Sequence, residues 1–229
     1  MYLDQVKARL EDLHIVSTDE IVPCTEDEVH TLERQLGFSL PGAYKEFLLW
    51  MGHGAGILLR GSDCFYQHLP PLRTWAEELL EENNFPEPLP EDAFVFFMHQ
   101  GYQFNFFRIS EGDDPPVHFY GEWTKQPSFT IIYPSFSDFL STEIEDCAKT
   151  LAEIAKSMAD RLQRDPDTIK RDPSFVRRMA EIAIHDADLL NIVAELVKDN
   201  SSLIRPLQQL AKSDLRVAEL LAEIKKQNS

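Results

Sequence analysis

The chain has seven histidines and three cysteines, the residue types that most often ligate metals or act as nucleophiles. The histidines form no His-x-x-x-His pair and no His-Glu-x-x-His motif, and the cysteines form no Cys-x-x-Cys pair. His99 and His118 approach each other only if their strands pair, with Asp113 or Asp114 near them. The spacing therefore predicts packing or surface histidines, and we expect neither a metal site nor a cofactor.

A glycine-rich segment, Gly52-His53-Gly54-Ala55-Gly56, is the next candidate for chemistry, because such segments can bind phosphate. It follows a predicted helix, however, whereas phosphate-binding glycines lie between a strand and the helix that it precedes. The chain also lacks a Gly-Lys-Ser/Thr sequence and a Gly-x-Ser-x-Gly nucleophile motif. We therefore interpret the segment as a helix-to-strand turn and expect a protein that is not an enzyme.

Composition indicates a cytoplasmic protein. The three cysteines are odd in number and far apart, which is typical of a reducing compartment and argues against a disulfide framework. No run of about 18 apolar residues is present, so no membrane span is expected. The first residues, Met-Tyr-Leu-Asp-Gln, lack the basic and then apolar pattern of a secretion signal.

The net charge of −17 is concentrated in the first part of the chain. Residues 1–147 contain 26 acidic and 8 basic side chains, a balance of −18, whereas residues 148–229 contain 13 and 14. A negative field of this kind opposes binding to nucleic acids and to anionic membranes. It favours a basic protein partner, or simply solubility.

The first 56 residues predict three helices. Apolar residues recur at helical spacing between Tyr2 and Ile15. Thr25 and Glu28 have the spacing of a capping box at the start of a second helix, which ends at Gly37. A third helix opens at Pro41 and places Tyr44, Phe47, Leu48 and Met51 on one apolar face.

The following residues predict strands mixed with two helices. Ile57-Leu58-Leu59 is interpreted as a short buried strand, and Leu72 to Asn83 as a helix with an acidic outer face. Phe94–Met98 is apolar on both faces, as in a central strand, and Tyr102–Phe106 alternates with period two, which predicts another strand. Further predicted elements are strands at Val117–Tyr120 and Phe129–Tyr133, and a helix capped by Ser135 or Ser137.

Several of these motifs, in this order over residues 1–147, resemble the SUKH superfamily. They are Glu26, Val29, Leu32 and Glu33; Leu36-Gly37; Leu40, Pro41 and Tyr44; Phe47-Leu48; Gly52, Gly54 and Gly56; Pro115-Pro116-Val117; and Ser135 to Leu140. That superfamily comprises fungal regulators of cell-wall synthesis and bacterial immunity proteins. The resemblance implies an α+β fold of N-terminal helices, an antiparallel-rich sheet and a closing helix, in which the Leu40–Gly56 motif has a structural role.

Residues 148–229 have a different composition and predict a second, all-helical domain. Phe175 is its only aromatic residue, and it begins a repeat of about 14 residues that continues at Leu189, Leu203 and Val217. A long coiled coil gives the same register, but Pro206 opposes it because a proline inside a helix costs about 3 kcal/mol. We favour an array of short helices, each of about 11 residues, weakly similar to the DP-type helical repeats of co-chaperones.

Two groups of residues in the first domain are candidates for partner binding. One is acidic, with no Lys or Arg between Arg73 and Arg108, and consists of Glu77, Glu78, Glu81, Glu82, Glu87, Glu91 and Asp92. The other is an aromatic band in which Tyr102, Tyr120 and Trp123 are the candidates for surface anchors, because such rings tolerate one wet end. Both groups have an ordinary alternative, a solvated helix face and a sheet core.

The resemblance implies a protein-binding role, most concretely an immunity protein that neutralises a toxin. The acidity agrees with a basic, nuclease-type toxin, because nucleases need positive surfaces to hold nucleic acid. The alternative function is a scaffold or regulatory adaptor whose helical extension binds a partner protein. The oligomeric state and the identity of the partner do not follow from the sequence.

Overall fold

The structure, a computed structural model, describes residues 1–165 and the isolated positions 182, 208, 218 and 222. Contacts between Cα atoms divide the chain into two compact units, Met1–Cys147 and Ala148–Ser229. The predicted 14-residue repeat, and with it the choice between short helices and a coiled coil, lies outside the described residues. The prediction that the two parts fold independently stays a prediction.

The described part of the chain combines helices with antiparallel strands, which confirms the predicted α+β class. Its α-helices are α1 (Asp4–Leu13), α2 (Glu26–Leu36), α3 (Gly42–Met51), α4 (Leu69–Glu82) and α5 (Phe136–Arg164). Its strands are β1 (Ile21–Val22), β2 (Gly54–Ala55), β3 (Ser62–Asp63), β4 (Ala93–His99), β5 (Gln103–Arg108), β6 (Val117–Gly121) and β7 (Thr130–Tyr133). Short 3₁₀ turns span Tyr66–His68 and Ile109–Glu111.

The two ends of α2 and the start of α5 follow capping residues in the sequence. Thr25 and Glu28 form the predicted capping box at the start of α2, each side chain bonding to the backbone N–H of the other. Gly37 ends α2 in the left-handed conformation with φ 77°. Ser135 caps α5, since its hydroxyl accepts a hydrogen bond from the Asp138 N–H at 3.0 Å. The alternative cap, Ser137, instead donates its hydroxyl to Asp114 at 2.6 Å.

The main sheet has the strand order β3-β4-β5-β6-β7, with every neighbouring pair antiparallel. Its central strand β5 is buried on both faces, because Phe104, Asn105, Phe106 and Phe107 are all at most 4% exposed. The strand predicted from the alternation in Tyr102–Phe106 is present as β5, and it has no solvent face because Asn105 is buried as well.

One face of the sheet packs around Tyr44, which α3 places in the centre of an aromatic core. The ring of Tyr44 meets those of Phe94, Phe107 and Phe136 with centroids 5.2–5.3 Å apart. Such edge-to-face pairs contribute beyond the area that they bury. The Tyr44 hydroxyl is buried and has no hydrogen-bond partner in the structure, so Tyr44 is held in this core by the packing of its ring.

The glycine cluster after α3 is a helix-to-strand turn, as predicted, but the structure requires glycine at only two of its three glycine positions. Gly52 has no room for a side chain, because a Cβ would clash with Cys24 Sγ and the Leu48 carbonyl oxygen. Gly56 needs its conformational freedom, since its φ is +56°. Gly54 has an ordinary φ and open space around its Cα, so it carries neither constraint.

The segment Ile57-Leu58-Leu59 is buried at its leucines but forms a turn, so the predicted strand is wrong. Leu59 takes a positive φ of 60°, which no strand residue adopts. The strand after α3 is instead β2, which pairs antiparallel with β1. A short apolar run by itself does not distinguish a strand from a buried turn.

Candidate interaction surface

Asp92, one of the predicted partner-binding carboxylates, is engaged inside the domain. Its carboxylate accepts hydrogen bonds from the Ser110 hydroxyl and N–H at 2.5 and 3.2 Å and from Arg108 Nε at 2.9 Å. The bonds from Ser110, aided by the Arg108 charge, lower the pKa of Asp92 to about 2. Asp92 therefore ties the start of β4 to the end of β5.

Two further members of the acidic set also have internal partners. Glu77 pairs with Arg73 one helical turn earlier, with Nε and Oε1 2.9 Å apart. Glu87 accepts a hydrogen bond from the Phe129 N–H at 2.9 Å and so holds the loop that leads into β7. These contacts give Glu77 and Glu87 structural roles, whatever else they bind.

The remaining carboxylates of the set, Glu78, Glu81, Glu82 and Glu91, are exposed and form no ion pair with any described residue. Glu81 and Glu82 lie in the last turn of α4, which contains no basic residue. Negative charge at this end of a helix is unfavourable, because the helix dipole is negative there. The end of α4 is therefore a strongly negative site that the fold itself does not neutralise.

Trp75 lies on the outer side of α4 and is missing from the residues predicted by sequence. Its side chain is 42% exposed, whereas the buried side of the helix is formed by Leu72, Ala76 and Leu79. Trp75 precedes Glu78 by three residues and Glu82 by seven, a spacing that places all three along one side of the helix. That spacing was readable from the sequence.

The aromatic candidates separate into one buried and two accessible rings. Tyr120 is only 3% exposed and stacks on Phe104 with centroids 5.3 Å apart, so the prediction of a surface anchor is wrong for this residue. Trp123 is 57% exposed. Tyr102 is half-buried and meets Trp123 edge-on at 5.6 Å. Tyr102 and Trp123 thus form a small aromatic pair at the end of β6.

A hydrogen bond joins the acidic helix end to this aromatic pair. Asn83, directly after α4, donates its side-chain amide to Glu122 Oε1 at 3.4 Å, and Glu122 is the residue before Trp123. The Glu122 N–H in turn donates to the Tyr102 carbonyl oxygen at 3.1 Å. The acidic–aromatic surface defined in this way consists of Trp75, Glu78, Glu81, Glu82, Tyr102, Glu122 and Trp123.

A cleft of about 420 Å³ lies between the end of α2, the start of α4 and β4. Its size suits a small ligand, but most of its lining is apolar. Two charged side chains lie in its wall: the Arg73 guanidinium already donates to the carbonyl oxygens of Pro90 and Ala93 and pairs with Glu77, whereas Glu91 is exposed to solvent. The cleft therefore offers few free polar groups with which to orient a ligand.

The histidines examined for metal binding have separate partners. His99 Nδ1 lies 2.9 Å from the Ser62 hydroxyl, and His118 Nε2 lies 2.9 Å from Glu111 Oε2. The hypothetical pairing of His99 with His118 is wrong, because their strands β4 and β6 are separated by β5. His53 lies 3.0 Å from Glu28 Oε1, close to the buried Cys24.

These features define a mixed α+β domain with a buried aromatic core and an accessible acidic surface. The chain belongs to the SMI1/KNR4 family (SUKH-1), whose model matches residues 23–142, and this confirms the resemblance found in the sequence. The family includes immunity proteins and SMI1/KNR4 regulators, which are generally non-catalytic and bind protein partners such as toxins. No curated protein matches the chain. None of the helices within the described residues is long and apolar enough to cross a membrane.

Proposed function

We propose that this protein is an immunity protein that binds a basic, nuclease-type toxin through its acidic–aromatic surface. The observation that carries the proposal is the Asn83–Glu122 hydrogen bond of 3.4 Å, which joins the residue after α4 to the residue before the exposed Trp123. The surface therefore combines negative charge, which attracts a basic protein, with large rings that anchor it.

Each part of the surface has a separate physical role in such a complex. The carboxylates Glu78, Glu81 and Glu82 repel one another in the free protein, and lysines or arginines of a partner relieve that repulsion. They also accelerate encounter, because oppositely charged surfaces steer diffusion. Trp75 and Trp123 supply buried area on binding, and tryptophan is among the residues that contribute most to interface energies.

Charge reversal tests the proposal in a bacterial host that expresses a candidate toxin, chosen from the genes that neighbour the gene for this protein. The wild-type chain is expected to restore growth when the toxin is induced. A variant with Glu78→Lys, Glu81→Lys and Glu82→Lys is expected to lose protection. Its association rate with a catalytically inactive form of the same toxin should fall by at least about tenfold at low salt and approach the wild-type rate at high salt.

A matched control changes the same charge elsewhere. Glu11, Asp12 and Asp19 are exposed acidic residues outside α4, and their replacement by lysine alters the net charge equally. This control should keep protection and most of the association rate. If both triple variants slow binding alike, only the overall charge matters and the acidic–aromatic surface is not the binding site.

The adaptor alternative gives a different result in the same assays. If residues 148–229 recruit the partner through apolar contacts, reversal of the α4 charges leaves binding unchanged and salt has little effect. A tryptophan variant, Trp123→Ala, then also binds normally. Those two results together would favour the adaptor over the immunity protein.

A further inference from the structure

Cys24, Glu28 and His53 bring three potential metal ligands together at the junction of three elements. Cys24 directly precedes the cap of α2, Glu28 lies in the first turn of α2, and His53 follows α3. One ligand atom from each, a thiol sulfur, a carboxylate oxygen and an imidazole nitrogen, lies within 4.8 Å of the other two.

The backbone on both sides of this cluster is fixed by short hydrogen bonds. The Cys24 N–H donates to the Leu48 carbonyl oxygen at 2.9 Å, and the His53 N–H donates to the Val22 carbonyl oxygen at 2.8 Å. The cysteine and the histidine are therefore held near each other by two different segments, which is the preorganisation that a binding site needs.

The Glu28 carboxylate is oriented by the capping box. Its Oε2 accepts hydrogen bonds from the Thr25 N–H and hydroxyl at 2.8 and 2.9 Å. Its Oε1 is left to face His53 Nε2 at 3.0 Å. Thr25 thus acts as the outer-shell partner that commonly fixes a ligating carboxylate.

We propose that Cys24, Glu28 and His53 bind a divalent transition-metal ion of the zinc class. The donor set of one sulfur, one nitrogen and one oxygen suits zinc, which takes tetrahedral sites with such ligands. Cys24 is 4% exposed and lies on the inner side of the site, whereas the side chains of His53 and Glu28 are 29% and 35% exposed and lie on its outer side. The ion enters from that outer side, and a water molecule completes the tetrahedron.

Binding of the metal ion displaces protons from the ligand side chains. The S–H bond of Cys24 breaks as the sulfur–metal bond forms, and the proton leaves to solvent. The proton that His53 Nε2 shares with Glu28 Oε1 must also leave that nitrogen, so that the imidazole is neutral with its ring proton on Nδ1. The Nε2 lone pair and Glu28 Oε1 then both bind the ion. A thiol nucleophile is the other chemistry for this residue set. The 4% exposure of Cys24 opposes it, because a substrate cannot reach so buried a thiol.

Cobalt is the spectroscopic probe for the site, added to the full chain after reduction and removal of metals. Co²⁺ is expected to bind at one ion per chain and to produce the thiolate-to-cobalt charge-transfer band. Zinc should abolish the band by competition and raise the midpoint of thermal unfolding. Cys24→Ser should remove the band, and His53→Gln should weaken cobalt binding by at least about tenfold.

Two control variants distinguish this site from adventitious binding. Cys147→Ser alters another thiol, and His30→Gln alters a histidine that lies 3.3 Å from Glu33 without a cysteine beside it. Both should keep the band and the zinc-induced stabilisation. Absence of the band in the wild-type chain, or its loss in Cys147→Ser with retention in His53→Gln, would overturn the proposal. His53→Gln changes a half-exposed residue, so it remains informative if Cys24→Ser fails to fold.

Discussion

The carboxyl group of Glu143 on α5 should make the stability of the folded chain depend on pH. Burial, aided by the nearby Asp146 charge, raises the pKa of Glu143 from 4.5 to about 7. The same carboxylate contributes to the raised pKa values of Tyr133, Cys64 and Cys147. The folded chain therefore binds a proton at this site more tightly than the unfolded chain.

The sign of the effect follows from that difference. Between about pH 4.5 and pH 7 the folded state holds the Glu143 proton while the unfolded state releases it, so stability falls as the pH rises through this window and is level above it. A pKa difference of this size corresponds to about 3 kcal/mol, at ~1.4 kcal/mol per tenfold change in proton affinity. Glu143→Gln cannot ionise and is expected to lose this part of the pH dependence.

Urea unfolding of the full chain at pH 5 and pH 8 measures the effect. The free energy of unfolding should fall between pH 5 and pH 8 by a larger amount in the wild-type chain than in Glu143→Gln. The difference between the two falls should be a few kcal/mol at most. Glu145→Gln is the control on the same helix, because pairing with Arg9 lowers the pKa of Glu145 and places its titration below this window. If Glu143→Gln and the wild-type chain show the same pH dependence, Glu143 is not a buried acid and the reasoning fails.

Three further predictions concern the domain itself. Tyr44→Phe removes a buried hydroxyl that has no partner and should stabilise the chain by about 1 kcal/mol in chemical denaturation; a loss of that size would reveal a bonded hydroxyl. Gly56→Ala, at φ +56°, should cost about 1 kcal/mol in the same assay, whereas Gly54→Ala should be nearly neutral; equal effects would contradict the turn geometry. Residues 1–147 expressed alone should unfold in one cooperative transition by circular dichroism, and a molten fragment would refute an independent first domain.

Local signals in the sequence predicted much of the fold. The capping box of Thr25 and Glu28 and the stop at Gly37 involve residues within one turn of each other, so their geometry needs no distant partner. The apolar face of α3 was equally clear from its spacing. The strand prediction for Ile57–Leu59 was wrong because leucines are buried in turns as well as in strands. The short apolar run gave no sign of the positive φ at Leu59.

Features that depend on distant residues did not follow from the sequence. The contact between Asn83 and Glu122 joins positions 39 residues apart. The burial of Tyr120 depends in part on Phe85, whose ring lies 5.0 Å away and comes from the segment after α4. Trp75 is different, because its position beside Glu78 on the helix face follows from their spacing alone.

The edge strand β7 gives the acidity of the domain a second role, which is to limit self-association. β7 is the outermost strand on its side of the described sheet, and its Ile131 and Ile132 are 55% and 40% exposed. An open edge with apolar side chains is a template on which copies of a protein can stack. Here the strand is only four residues long and is followed by Pro134, and a net charge of −17 keeps copies apart. The charge that would attract the proposed basic partner thus also limits self-association, an effect that weakens in concentrated salt.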